Sequence, residues 1–202
     1  MPKKGIFIVF EGLDGSGQST QVKLLEDYFR KKGRKVVVTK EPTLLSRAGR
    51  KIRQALDKKI IIGAKKLQEL FQKDRGLHIK NDIIPALRQG KIVISDRYFF
   101  SSFAFGSASG VSPAWLIEMN KKFLHPDLTL ILDVPAKVSV KRIEKRGKPK
   151  TLFEKKRKLE KVIKIYRTFP KKFKNVYLVD GRKSIPQVFQ SVRKIVRSKL
   201  NI

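Results

Sequence analysis

The stretch Phe7 to Gln21, "FIVFEGLDGSGQSTQ", runs from an apolar, β-branched segment through Gly12, Gly15 and Gly17 into a polar one. Residues Gly12, Leu13, Asp14, Gly15, Ser16, Gly17, Gln18 and Ser19 fit the phosphate-binding pattern G-x-x-x-x-G-K-[ST], except that Gln18 stands where the pattern has lysine. An apolar strand before the glycines and an amphipathic helix after them place the loop at a strand-to-helix turn. There, backbone N–H groups and the positive end of the helix converge on an anion. Ser19 is then placed to offer its hydroxyl to Mg²⁺, and Thr20 to add a hydrogen bond near the α-phosphate of a nucleotide. Glutamine keeps the reach of lysine and an N–H donor but loses the charge, and charge-assisted hydrogen bonds are roughly twice as strong as neutral ones. The loop alone therefore fits a disabled cradle, a working cradle charged from elsewhere, or a plain glycine turn.

Working outward, short apolar runs at Gly5–Phe10, Lys35–Thr39, Lys91–Ser95, Leu128–Val134 and Val176–Val179 read as buried strands. Amphipathic stretches lie between them at Ser19–Lys32, Ala48–Leu56, Ala64–Arg88, Ala114–Phe123, Lys137–Arg146, Leu152–Tyr166 and Ile185–Leu200. Strands alternating with helices predict an α/β fold: a mostly parallel sheet with helices on both faces, in one domain spanning residues 1–202. Ser112-Pro113 marks a helix start, Thr151–Glu154 has capping-box spacing, and Gly33 and Gly90 sit where left-handed C-terminal caps belong. Pro85 is expected to bend or break the helix over 64–88. "RGKPK" at Arg146–Lys150, between two helices, marks a lid over about residues 146–154.

The chain carries 48 Lys plus Arg against 17 Asp plus Glu, a formal charge of +31. That excess suits nucleic acid bound without sequence preference, an anionic membrane or a multiply phosphorylated substrate. Most of it falls at helical spacing between apolar residues, the pattern of solvated helix faces. No basic stripe interleaved with aromatics appears. There is no run of some 18 apolar residues and no cleavable leader at the N-terminus, so the expectation is a soluble, cytoplasmic protein without a membrane segment. With no cysteine there are neither disulfides nor thiol metal sites, and His78 and His125, each alone, read as packing or surface residues.

An open parallel sheet delivers functional residues at the carboxyl ends of its strands. Here the second strand ends in Lys40-Glu41-Pro42-Thr43, the third in Asp96-Arg97-Tyr98 followed by Ser101-Ser102, and the fifth in Asp180-Gly181-Arg182. A carboxylate beside an arginine serves a metal and a phosphate respectively, or simply forms a strand-end ion pair. In order along the chain, FEGLDGSG, KEPT, LFQKDR at Leu70–Arg75, DRY with SSFAF, HPDLTLILDV, KRIEKRG and VDGRKS resemble the thymidylate kinase family of P-loop nucleoside monophosphate kinases. The resemblance runs nearly end to end. It implies a five-stranded parallel sheet, usually in a homodimer, and Mg²⁺-dependent transfer of the γ-phosphoryl group of ATP to the 5′-phosphate of dTMP.

By the same resemblance, Gly12 to Thr20 wrap ATP, with Arg142, Asp180 and Arg182 bordering adenine. Glu11 and Asp14 border the phosphates. Glu41 and Pro42 lie at the acceptor site, with Arg47 or Arg50 near its phosphate. Phe71 stacks on the pyrimidine and Arg75, one turn later, bonds its edge, while Ser102 and Phe105 complete the pocket. Asp96 and Arg97 handle the metal, shared with Ser19, and the transferring phosphate. Gly15 occupies a position where one subgroup carries a catalytic arginine. The other subgroup takes its arginine from the lid, where Arg146 is the first choice here. The chain departs from the pattern at Gln18, and also at Ala104-Phe105-Gly106, where the family's Ala-Tyr-Gln would offer a side chain to the base. The remaining readings are a kinase for another acceptor, such as dUMP, a nucleoside or a 5′-phosphorylated polynucleotide end, and a P-loop protein that binds nucleic acid without turnover.

Overall fold

The computed structural model describes residues 5–145 and 156–201. Five parallel strands, β1 (Ile6–Gly12), β2 (Val36–Lys40), β3 (Ile92–Asp96), β4 (Leu128–Asp133) and β5 (Val176–Asp180), lie in the order β2-β3-β1-β4-β5. The side chains alternate between faces. Ile8, Phe10, Ile92, Ile94, Leu130 and Leu132 pack with helices α1 (Gln18–Lys31) and α10 (Ile185–Leu200) on one face. Phe7, Val9, Val93 and Ile131 face the opposite layer, built from α2 (Arg47–Leu56), α3 (Ala64–His78), α4 (Ile84–Arg88), α5 (Phe99–Ser107), α6 (Pro113–Asn120), α7 (Ala136–Glu144), α8 (Lys156–Tyr166) and the short α9 (Phe169–Lys172). Both faces are covered, so the inner strands carry continuous apolar runs, such as Ile6–Phe10 and Ile92–Ile94, rather than alternating. The result is the α/β/α sandwich expected from the alternation of strand and helix.

Helix ends follow the sequence signals. Gly33 and Gly90 adopt φ values of 71° and 69° and donate back to the carbonyls of Arg30 and Leu87. Ser112 accepts from the N–H of Trp115 at the start of α6. Pro85 does interrupt the 64–88 helix: a π-helical turn at Ile79–Ile83 separates α3 from α4, and Pro85 sits in the first turn of α4, where its missing N–H matters least. The capping-box expectation at Thr151–Glu154 and the lid over 146–154 lie outside the described residues.

Helix α5 escapes a periodicity argument because it is buried nearly all round. Phe99, Phe100 and Ser102 to Gly106 are all inside, and Phe99, Phe100 and Phe103 form an aromatic cluster with Phe169 and Phe173. A helix apolar on every side carries no 3.6-residue moment.

The loop between β2 and α2 is fixed by a single acid. Buried Asp74 accepts from the N–H and hydroxyl of Thr43 at 2.7 Å each and from the hydroxyl of Ser46, the N-cap of α2, at 2.6 Å. Gly49 makes this approach possible: a Cβ there would lie 1.9 Å from the carbonyl oxygen of Thr43 and 2.7 Å from Asp74 Oδ1. Backbone cannot yield as a side chain does, so Gly49→Ala should destabilise at the upper end of the roughly 1–3 kcal/mol typical of overpacking. Gly33→Ala, with open space around it, should cost only left-handed strain of about 1–2 kcal/mol. Urea denaturation of both variants checks this; a Gly49→Ala midpoint equal to the parent's would contradict it.

Candidate active site

The loop after β1 adopts the conformation its glycines permit. Gly12, Gly15 and Gly17 have φ of 149°, 79° and 97°, values that L side chains rarely take. Gly17 caps α1 in the left-handed region with no side chain bonded to the helix end, so the first N–H groups of α1 are left for a ligand. Ser19 and Thr20 are exposed at that end. Gln18 is not. It is 6% exposed and turns inward, its amide Nε2 3.4 Å from the carbonyl oxygen of Phe10 and its Oε1 3.5 Å from Ser16 Oγ. The residue in the lysine's place is thus neutral and withdrawn from the anion site. Position 15 also has no room for a side chain, since a Cβ there would lie 2.8 Å from the carbonyl oxygen of Ser139.

Strand register brings the next groups together. Lys40 and Asp96 are partners at the carboxyl ends of β2 and β3. Asp96 Oδ2 accepts from Ser19 Oγ at 2.8 Å and from Lys40 Nζ at 2.9 Å, joining the first turn of α1 to two strand ends. The following residue, Arg97, has φ 79°, and its N–H donates to the carbonyl of Phe10. Its guanidinium donates to the Gly12 carbonyl, Ser101 Oγ and Asp14 Oδ1, each at 3.0 Å, and lies over the ring of Phe105 at 5.3 Å. Asp14, Asp96, Arg97, Ser19 and Phe105 thus lie together around the end of β3.

Glu11 takes a different place from the one expected. It is 0% exposed and borders no open space. Its Oε1 accepts from the N–H groups of Tyr98 and Ser101 at 2.9 and 3.1 Å, and its Oε2 from Tyr166 Oη and Ser101 Oγ at 2.8 and 2.5 Å. It ties β1 to the amino end of α5 and to the last residue of α8. No sequence signal singled out Tyr166 as its partner.

Glu41 and Arg75 also meet each other rather than an open pocket. Glu41 precedes a cis bond to Pro42. Arg75, 1% exposed, donates through Nε to Glu41 Oε2 at 2.8 Å, through Nη1 to Asn120 Oδ1 at 2.5 Å and through Nη2 to Ser102 Oγ at 3.2 Å. His78 completes the cluster, with Nδ1 3.1 Å from Glu41 Oε1 and Nε2 2.6 Å from Thr39 Oγ1. Phe71, one turn before Arg75, is half-buried beside this cluster on the same helix.

The remaining expected residues lie around the rim. Arg142 donates to the carbonyls of Ser16 and Gly181 at 3.4 and 3.1 Å, bridging the glycine loop to the β5–α10 turn. Asp180 and Arg182 pair at the surface through Nε and Nη2 at 2.8 and 2.9 Å, and these bonds to Arg182 hold the Asp180 carboxyl down at about 2. Arg50 is exposed and donates to the carbonyls of Leu44 and Leu45, while Arg47 is exposed nearby. Arg146 lies outside the described residues. At Gly106, a Cβ would lie 2.9 Å from Leu116 Cδ1 and 3.3 Å from Gln68 Cδ, so neighbours occupy the room a longer residue would need. Buried Gln68, whose Oε1 has no partner, was not singled out by the sequence reading, nor were Asp74 and Lys40. Lys40 did stand beside a strand-end acid in the sequence, which was the available signal.

Burial raises the Glu11 carboxyl from 4.5 to about 7, against the opposing pull of Arg97, Ser101, Tyr166 and Tyr98. A carboxyl that holds its proton more tightly folded than unfolded gives the folded state more bound protons between those values. Its contribution to stability is then lost as pH rises through that window, by an amount on the order of 3 kcal/mol. Glu11→Gln keeps the shape without the titration. Urea denaturation from about pH 5 to about pH 8 should show the parent losing stability relative to Glu11→Gln; parallel pH profiles would contradict the assignment.

The sequence model of the family described as thymidylate kinase matches residues 10–192. A Pyrococcus horikoshii protein described as a probable thymidylate kinase is 41% identical over 203 residues, covering 98% of this chain and 98% of its own length. A Thermococcus gammatolerans protein of the same description is 41% identical over 209 residues, covering 97% of this chain and 98% of its own. The Caldicellulosiruptor saccharolyticus thymidylate kinase is 35% identical, covering 96% of each. A match along nearly the whole chain, on a fold with the phosphate loop and the Asp96-Arg97 pair at adjoining strand ends, means that this chain belongs to the thymidylate kinase family.

Proposed function

We propose that the chain is a thymidylate kinase: it transfers the γ-phosphoryl group of ATP to the 5′-phosphate of dTMP, giving dTDP and ADP. The observation that carries the reading is the 2.8 Å contact between Ser19 Oγ and Asp96 Oδ2, which joins an uncapped helix end to a strand-end carboxylate. Two hard oxygen donors beside a phosphate loop suit Mg²⁺, which takes few protein ligands and keeps water and substrate phosphates for the rest. When bound, that ion would neutralise charge on the β- and γ-phosphates.

The protein's own groups supply position and field. The N–H groups of the glycine loop and the first turn of α1 hold the donor phosphates. Arg97, held by Asp14 and the Gly12 carbonyl, points its guanidinium between donor and acceptor. An acceptor phosphate oxygen forms the new bond to the γ-phosphorus as the bond to the bridging oxygen of ADP breaks, and charge moves onto ADP. Phosphoryl transfer of this kind depends mostly on alignment and electrostatics. Glu11 acts as a positioning residue, fixing the backbone that carries Arg97. Arg75 and Glu41 brace the acceptor side, where Pro42, Phe71, Ser102 and Phe105 surround the base and Arg50 or Arg47 reaches the acceptor phosphate. Arg142, Asp180 and Arg182 border the adenine. Arg146 would approach the transferring group from the lid.

The same reading includes a homodimer and a cytoplasmic setting, which follow the family pattern. Among the described residues no helix is long and apolar enough to cross a membrane. With a formal charge of +31 the chain should also bind polyanions weakly and without sequence preference, with an affinity that falls steeply with salt. That binding would be separate from turnover.

A coupled assay with ATP, Mg²⁺ and each of dTMP, dUMP, dCMP and dGMP tests the reading. Turnover should be highest with dTMP. Discrimination against dUMP should be the narrowest of the set, because dUMP differs from dTMP only by the C5 methyl, and one methyl in an apolar pocket is worth only about 10–200-fold. Absence of turnover with all four would overturn the proposal, and preference for another acceptor would reassign the substrate.

A further inference from the structure

The phosphate loop lacks its lysine, and Gln18 is turned away from the anion site. A second cation nevertheless stands at that site. Lys40 is the last residue of β2, registered against Asp96, and its Nζ lies 2.9 Å from the same carboxylate oxygen that accepts from Ser19. The Lys40 side chain is 60% exposed whereas that of Asp96 is 7% exposed, so the ammonium sits on the open side of the cluster. An ammonium has three donors, and among the described residues Asp96 is its only partner. Its backbone is held firmly, because the next residue, Glu41, is locked by Arg75 and His78.

Among the described residues, three other cations near the site already donate to protein oxygens. Arg97 spends its guanidinium on Gly12, Ser101 and Asp14, Arg142 on the carbonyls of Ser16 and Gly181, and Arg50 on those of Leu44 and Leu45. We infer that Lys40 is the catalytic cation that replaces the loop lysine: with nucleotide bound, its ammonium donates to oxygens of the γ-phosphoryl group undergoing transfer. This deepens the kinase reading and rests on it. Lys40 keeps its proton throughout. Its hydrogen bonds strengthen as the bond to ADP breaks and the bond to the acceptor phosphate forms, which is where a preorganised donor lowers a barrier. The chain has thus moved the charge from the helix that follows β1 to the end of a strand two positions away in the sheet.

The test is a mutant cycle on the full chain: Lys40→Met, Gln18→Lys and the double variant. Lys40→Met should lower kcat by about 10²–10³-fold, the usual effect of removing one transition-state donor, with little change in KM for dTMP. In the double variant Gln18→Lys should restore kcat to within about tenfold of the parent, because it supplies the same charge to the same phosphoryl group. Calorimetric titration of a non-hydrolysable ATP analogue against AMP supplies a readout independent of turnover. The preference for the triphosphate should drop about tenfold in Lys40→Met and return in the double variant, as expected for one charge-assisted bond. A Lys40→Met enzyme with parental kcat would overturn the inference, as would a loss that Gln18→Lys does not repair, which would mean that Lys40 only holds Asp96. Lack of turnover in the parent would refute the kinase reading, and the titration would still decide whether Lys40 reads the γ-phosphate; equal parental affinity for the analogue and AMP would refute that too.

Discussion

The buried carboxyl of Glu11 is the constraint on which the rest of the site is built. It sits at the carboxyl end of the central strand with its four hydrogen bonds drawn from three places: two backbone N–H groups after β3, the Ser101 side chain at the start of α5, and Tyr166 at the end of α8. An acid placed there without partners would cost several kcal/mol in desolvation. With them it sets the path of the segment from Arg97 to Ser101. That path gives Arg97 its left-handed backbone and aims its guanidinium at the glycine loop. The same acid reaches Tyr166, the last residue of α8, so that helix and the phosphate loop share one buried hub.

The functional edge of the sheet is a problem of charge placement. Asp96 gathers Ser19 and Lys40, Asp14 gathers Arg97, and Glu41 gathers Arg75 and His78. Each acid orients one cation, and the three pairs differ mainly in burial. Arg75 and Glu41 are sealed inside and shape the acceptor side, where breaking either partner would leave a buried charge alone. Arg97 is intermediate. Lys40 alone of the three cations is mostly in solvent, and so is the one free to exchange a carboxylate for a phosphate at little cost. Gln18 can then remain neutral without leaving the loop short of charge.

Much of this was legible in sequence for physical reasons. Strands covered on both faces carry continuous apolar runs, and Ile8, Val9 and Phe10 announce themselves whichever face they serve. Gly33 and Gly90 declared helix ends because a left-handed residue is needed there, and Asp96-Arg97 stood out because a parallel sheet exposes its carboxyl ends. The failures have equally plain causes. Helix α5 is buried all round and has no polar face to mark its period. The buried partners of Glu11 and Arg75 could not be read, because sequence records a charge and not the groups that neutralise it. Gly49 reads as an ordinary helical glycine until the carbonyl of Thr43 is placed against it. Lys40 was hidden for a related reason: its importance lies in register with Asp96 on a neighbouring strand, and register between distant segments is not written in either one.

On the inference drawn from Lys40, the cation at the transferring phosphate comes from the end of β2 and not from the loop after β1. A crystal structure of the chain with a non-hydrolysable ATP analogue and dTMP measures this most directly. Lys40 Nζ should lie within hydrogen-bonding distance of a γ-phosphate oxygen, with Gln18 still turned toward the carbonyl of Phe10. Lys40 remaining on Asp96 while Gln18, or an arginine of residues 146–157, takes the γ-phosphate would contradict it.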